Sequence, residues 1–156
     1  MESGLLCILF ISFSCFAAET SDLTWDIGAS TGQTNKANYS EIGVGVNWYF
    51  LDWMAWRNAA FARFQTGENA AAGIDTSVRP IFHFGDNKFG LTTFFGPGYR
   101  FVTRGVNAPF GEAGVVFNIS QVSVGVGGKA IMNEWSNSRY ENDTQFFIIL
   151  AGSGTL

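Results

Sequence analysis

The chain has 156 residues, with 9 Lys and Arg against 13 Asp and Glu for a formal charge of −4, and only 14% of its residues are charged, against about 25% in ordinary globular domains. That length predicts one domain, and the mild acidity argues against nucleic acid as a partner. No internal segment is apolar for the ~20 residues a membrane-crossing helix requires, so any contact with lipid falls to strands.

The first element in chain order is "MESGLLCILFISFSCFAAETSD". It runs apolar from Leu5 to Phe16, passes through Ala17 and Ala18 and reaches Glu19, which predicts a cleavable secretory signal over residues 1–18 and a second segment, 19–156, that folds. The leading region holds Glu2 and no basic residue, a departure from the usual signal pattern, and an uncleaved anchor is the rival reading. Ser12, Phe13 and Ser14 make a poor lipoprotein site before Cys15. Both cysteines, Cys7 and Cys15, lie in this segment, so the processed chain would have neither a disulfide nor thiolate chemistry.

From "EIGVGVNWYF" onward the dominant signal is a period of two. Ile42, Val44, Val46, Trp48 and Phe50 alternate with Glu41, Gly43, Gly45, Asn47 and Tyr49, the pattern of a strand with one apolar and one polar face. Continued along the chain, it predicts eight strands at 23–32, 40–50, 54–65, 74–84, 89–102, 109–119, 122–135 and 144–156. The connections "LDW", "GDNK" and "SQ" are tight, whereas "QTNKANY", "TGENAAAG", "TRGVNA" and "SNSRYEND" are longer and polar. Long and short connections alternate, which gathers the long ones at one end of an up-and-down meander, as in outer-membrane barrels.

The two faces decide which way the apolar side looks. One carries Val44, Val46, Val115, Val124, Val126, Ile148 and Leu150, which are predicted to face lipid. The other carries Glu41, Arg57, Arg63, Asp75, Arg79, Glu112 and Lys129, together with Asp26, Arg100 and many glycines. Glycine that dense on a solvated outer surface would weaken the strands without return, but on the concave wall of a narrow barrel it makes room for long neighbours. The charged set is therefore predicted to form a lumen ionic network. Trp25, Trp48, Phe50, Trp53 and Trp56 cluster near the short turns, and Tyr99 and Trp135, with Tyr39 and Phe101, toward the long loops, the placement of interfacial aromatic girdles. Pro80, Pro97 and Pro109 fall in or at strands, and Gly96 and Gly98 around Pro97 predict a bulge there.

On the strand count, the loop alternation and the final amphipathic strand "TQFFIILAGSGTL", residues 23–156 resemble the small eight-stranded outer-membrane barrels of Gram-negative bacteria, the OmpA-transmembrane-domain and OmpX type. The resemblance implies an all-β, eight-stranded antiparallel up-and-down transmembrane barrel in the bacterial outer membrane. It also implies contact with outer-membrane lipids and lipopolysaccharide, and assembly by the machinery that reads the last strand. That strand usually ends in an aromatic residue, where this chain has Leu156.

An eight-stranded interior is narrow enough to be filled by side chains. The expected role is therefore structural and surface-interacting, as a monomer whose long loops meet an unidentified external ligand. A lipid A deacylase-like enzyme, a small-solute channel and a soluble lipocalin-like binder are the alternatives. For the enzyme, "NEWSNS" resembles the His-x-Ser-Asn motif of lipid A deacylases, but Glu134 stands where the histidine belongs, ahead of Ser136 and Asn137. His83, the only histidine, is predicted at the opposite rim on the lumen face, and with no second His or Cys in the processed chain it predicts neither metal nor cofactor. Turn geometry predicts that Glu112 opposes Lys129, Glu41 opposes Arg63 and Arg63 opposes Asp75.

Overall fold

The computed structural model describes residues 23–33, 37–67, 69–85, 89–119, 122–137, 139 and 141–152. Residues 1–18, where a signal is expected, together with both cysteines and Leu156, lie outside these residues. The chain forms β1 (Leu23–Gln33), β2 (Asn38–Leu51), β3 (Met54–Gln65), β4 (Ala71–Gly85), β5 (Phe89–Val102), β6 (Ala108–Ile119), β7 (Val122–Ile131) and β8 (Asp143–Gly152). Each strand pairs antiparallel with its neighbours and β8 returns to β1, so the sheet is a closed up-and-down barrel, as the alternation predicts. Stepping across opposed residues from Leu23 through Trp48 and Trp56 to Val78, across to Pro97 by the register that holds on both sides of an interruption in the β4–β5 ladder, and on through Gly111, Ala130 and Thr144 returns to β1 at Gln33. That displacement is the stagger that tilts strands in a closed barrel.

Three local expectations change. Strand β7 ends at Ile131 rather than 135, because a single helical turn, Asn133–Ser136, follows it. There Asn133 Nδ2 donates to the Glu141 carbonyl and Asn142 Oδ1 accepts from the Glu134 N–H, so side chains take over backbone bonds that a strand would use. Strand β4 starts at Ala71 rather than 74, which shortens the loop and shifts the register. Arg63 then opposes Ala71 and Asp75 opposes Ala59, so the expected Arg63–Asp75 pairing does not form. Between β2 and β3 the turn is Asp52–Trp53, with Leu51 opposite Met54, and an irregularity between Tyr49 and Leu51 absorbs one residue.

Two of the three prolines share one seam. Across β4 and β5 the ladder runs from Gly73/Val102 to Ser77/Gly98 and resumes at Ile81/Phe94 in unchanged register, so there is no bulge at Pro97 but a gap. Val78, Arg79 and Pro80 face Phe95, Gly96 and Pro97 across it. The Ile81 N–H donates to Trp53 on the β3 side at 2.8 Å, so by strand alternation the donor that Pro80 lacks would have pointed at β5. Pro80 and Pro97 thus lose their donors in the same place instead of at two. The backbones also close up there, since a Cβ at Gly96 would collide with the Val78 carbonyl. Pro109 lies beyond the end of the β6–β7 ladder, where its carbonyl accepts from Met132 at 2.9 Å.

Inside, glycines and rings interlock. A Cβ at Gly98 would overlap the Phe110 ring, one at Gly73 the Phe61 ring and one at Gly114 the Phe94 ring. These rings are buried, and the missing side chains are the space they occupy. Gly111, by contrast, has open space where a Cβ would go. Gly98→Ala should lower the barrel's unfolding free energy by roughly 1–3 kcal/mol through overpacking, because the Thr76 carbonyl also blocks that position. Gly111→Ala should leave it within about 0.5 kcal/mol. Urea titration followed by tryptophan fluorescence reads both, and equal effects would show that lumen volume does not limit the fold.

Candidate functional site

The inner face of the barrel carries ten ionic side chains among the described residues, five of each sign: Asp26, Glu41, Asp75, Glu112 and Asp143 against Arg57, Arg63, Arg79, Arg100 and Lys129. Strand parity directs them inward, and the balance of sign follows from what burial demands of charge. Eight of them form one chain of alternating sign. Asp143 Oδ2 lies 3.6 Å from Arg63 Nη1, and Arg63 Nε donates to Glu41 at 2.7 Å. Glu41 accepts Arg100 Nη1 and Nη2 at 2.9 and 3.0 Å, and Arg100 turns its Nε and Nη2 to Asp75, both at 2.7 Å. Asp75 takes Lys129 at 2.5 Å, Lys129 lies 3.8 Å from Glu112, and Arg79 Nε closes the chain on Glu112 at 2.8 Å. The remaining pair, Asp26 with Arg57, is bidentate at 2.6 and 2.9 Å and is joined by Asn47.

Most of these cations also lie on a ring. Arg63 stacks over Tyr39 at 3.9 Å from the centroid, Arg100 over Phe61 at 4.2 Å, Arg79 over Phe94 at 4.3 Å and Lys129 over Phe110 at 4.3 Å. Each of the four is therefore held between a carboxylate and a π-face. Glu112 does stand opposite Lys129 and Glu41 opposite Arg63 in register. Yet the short contact of Lys129 is Asp75 across the lumen, and that of Glu112 is Arg79. The flexible stem of Lys129 reaches past its cross-strand neighbour to the carboxylate that Arg100 also holds.

Asp143 and Tyr39 are the residues that sequence reasoning does not assign to this network, whereas Asp26 and Arg100 stand on its predicted inner face. Tyr39 shares the inward parity of Glu41, and that parity is the available signal. Tyr39 is accordingly buried beside Arg63 and Asp143 rather than placed in an outer girdle. Asp143 sat in a segment read as loop, so no parity was assigned to it.

The ionic layer divides the lumen in two. Toward the long loops is a cavity of about 640 Å³, floored by Arg63, Arg100, Ile131 and Asp143. Toward the short turns is one of about 350 Å³, lined on its apolar side by Tyr49, Ile81, Phe94, Val116 and Ile149 and elsewhere by polar side chains such as Asn47, Thr92 and Asn118. Among the charges themselves the free space is about 50 Å³. His83 lines the lower cavity and its Nδ1 lies 3.0 Å from Thr92 Oγ1. A chain of side-chain bonds continues from Thr92 to Asn118 and on to Ser123, each 2.7 Å. Ser136 and Asn137 sit after β7 at the other end, so His83 is not a partner for either.

On the outer face Val44, Val46, Val124, Val126, Ile148 and Leu150 are exposed, and Val115 stands beside Val126. Trp48 opposes Trp56 with ring centroids 6.1 Å apart, and Phe50 is 6.1 Å from Trp48. Trp25 and Trp53 are exposed at the same short-turn end. Tyr99 is 5.0 Å from Phe101 near the long loops, and Trp135 projects from the helical turn at 77% exposure. Trp56 Nε1 donates to Thr76 Oγ1 at 2.8 Å on the outside of the wall, which satisfies its N–H without water.

Eight chains of solved structures match this architecture. The outer membrane enzyme PagL aligns with TM-score 0.59 and 12% identity, over 81% of this chain and 97% of its own. A de novo designed transmembrane β-barrel aligns with TM-score 0.58 and 12% identity, over 86% and 98%. Ail, the attachment invasion locus protein of Yersinia pestis, gives TM-score 0.47 and 13% identity, over 85% and 97%. The chain has the fold of the small transmembrane β-barrels. No protein-family model and no curated sequence matches it.

Arg100 bridges two buried carboxylates, so Arg100→Met should cost about 3–5 kcal/mol of unfolding free energy. In double-mutant cycles, Asp75→Asn with Lys129→Met should couple by at least ~1 kcal/mol. Glu112→Gln with Lys129→Met should couple by less than half of that. Urea unfolding of the refolded barrel measures each, and additive Asp75 and Lys129 effects would refute the chain of pairs.

Proposed function

We propose that this protein is a bacterial outer-membrane β-barrel of the OmpA-transmembrane-domain and OmpX architecture. In this reading the plugged lumen anchors a platform, and the long loops meet what lies outside the cell. The observation that carries it is the inversion of the two faces. Buried charge fills the interior, while a band of exposed aliphatics with aromatic residues toward its ends covers the outside. A water-soluble barrel has no use for that arrangement, whereas lipid rewards it. Outer-membrane lipids and lipopolysaccharide are the surroundings of the band, and the barrel-assembly machinery is the partner that inserts it. Residues 1–18 would serve as the export signal.

The ionic layer supports a non-conducting role over the small-solute channel. The distance in the fold between His83 and Ser136 supports the interaction role over the deacylase-like enzyme. Expressed with its leader in a Gram-negative host, the protein should fractionate with the outer membrane and run faster on gels unboiled than boiled. Val126→Arg should destabilise the folded form by roughly 2–4 kcal/mol as a midplane lipid-facing charge. Ser123→Arg, on the lumen face, should be far milder. Recovery in the soluble fraction, or equal tolerance at the two positions, would overturn the reading.

A further inference from the structure

The outer wall carries one side chain at odds with its surroundings. Asn58 points outward on β3, between the inward Arg57 and Ala59, and is opposed by Val46 and Thr76 on the neighbouring strands. One circuit of the barrel climbs from Leu23 to Gln33. Corrected for that climb, Asn58 stands level with Ile27, Val78, Ala113, Val126 and Ile148 to within about one residue. It is thus at the middle of the apolar band, above the girdle of Trp25, Trp48 and Trp56 and below Tyr99 and Phe101. An amide in hydrocarbon has no water to bond, and each unmet polar group there costs free energy. Asn58 makes no hydrogen bond to a described residue, and Thr76 beside it already accepts the Trp56 indole N–H at 2.8 Å. The wall around the amide is low. Ala60, Ala62 and Ala72 carry no bulk, and the bond to Thr76 lays the Trp56 ring along the sheet.

We propose that Asn58 is the centre of a homodimer contact inside the membrane, where its amide pairs with Asn58 of a second copy. Copies of one membrane protein insert the same way up, so a dimer is related by rotation about the membrane normal and joins residues at equal depth. The outward positions level with Asn58 are apolar, so the polar partner that a second copy offers at that depth is its own Asn58. A side-chain amide both donates and accepts, and an Asn–Asn pair across the two-fold axis meets the need of both copies at once. Side-chain hydrogen bonds between chains drive association in lipid, where burying apolar surface adds little. The low relief of Ala60, Ala62 and Ala72 lets the two walls approach. The inference rests on the outer face being the lipid-facing one. A barrel that enters the outer membrane and stays monomeric refutes the contact alone, whereas recovery in the soluble fraction refutes the reading beneath it.

Sedimentation equilibrium of the refolded full chain in density-matched detergent should show a reversible monomer–dimer equilibrium. Asn58→Leu should weaken the dimer at least about tenfold, whereas Asn58→Gln, which keeps the amide, should retain most of it. Leucine suits a lipid-facing position, so the Asn58→Leu barrel should fold and keep its unboiled gel mobility, which separates loss of the contact from loss of the fold. For a second measurement, Asn58→Cys on β3 and Val126→Cys at the same depth on β7, across the barrel, are each placed in a Cys7→Ser, Cys15→Ser background. Each variant is expressed in a Gram-negative outer membrane and oxidised. A disulfide-linked self-dimer is expected from Asn58→Cys and not from Val126→Cys. No self-dimer in either medium, a dimer that Asn58→Leu leaves unchanged, or equal crosslinking from the two walls would overturn the proposal. A crosslink from Asn58→Cys to a different membrane protein, with no self-dimer, would overturn it as well.

Discussion

The constraint on which this structure depends is the width of an eight-stranded barrel. A closed sheet of that size leaves an interior that side chains must fill, and here the inward positions hold ten charged groups among the described residues. Long cations fit such a space only if something else on the wall is small. Where Phe61, Phe94 and Phe110 pack against the missing Cβ of Gly73, Gly114 and Gly98, each ring is free to turn a face to Arg100, Arg79 or Lys129. Glycine, ring and cation make one repeating unit, and the carboxylate on the far side completes it.

That unit explains how charge comes to share the core with aromatic rings. In a lipid-facing barrel the outside is already apolar, so burying more hydrocarbon inside gains nothing relative to the bilayer. Directional contacts between strands distant in sequence are what the interior can add. The alternating chain from Asp143 to Arg79 touches β8, β3, β2, β5, β4, β7 and β6 in turn, and Asp26 with Arg57 brings in β1. The wall is thus cross-braced at the level where the β4–β5 ladder is interrupted, since Arg79 lies within that gap and is fixed by Glu112. Two missing donors placed in one braced seam disturb the sheet less than two separate breaks would.

Parity was the part of this fold legible in sequence. Strand count, the alternation of long and short connections and the inward set from Glu41 to Lys129 all follow from a period of two. What parity cannot give is register across a loop or reach across a lumen. Three small residues, Ala71 to Gly73, read as loop because Ala and Gly carry no strand signal, and their zipping onto β3 is what separated Arg63 from Asp75. Likewise, cross-strand opposition names Glu112 as the neighbour of Lys129, but a four-carbon stem can choose a carboxylate on another wall. Pro80 made no sense as a lone strand proline. It does as one of a facing pair with Pro97, and facing is a property of register.

The two ends of the network are not equivalent. At the lower end Arg79 is covered by Phe94 and paired with Glu112, and below it the wall turns apolar around Ile81 and Ile149. The alternation ends there on a satisfied member. At the upper end it terminates on Asp143, whose second oxygen is buried without a hydrogen-bond partner among the described residues. An additional charge inserted between any two members of the series must displace one. The arrangement that closes the lumen is therefore satisfied at its lower end and, among the described residues, carries its unmatched buried oxygen at the end where the long loops gather.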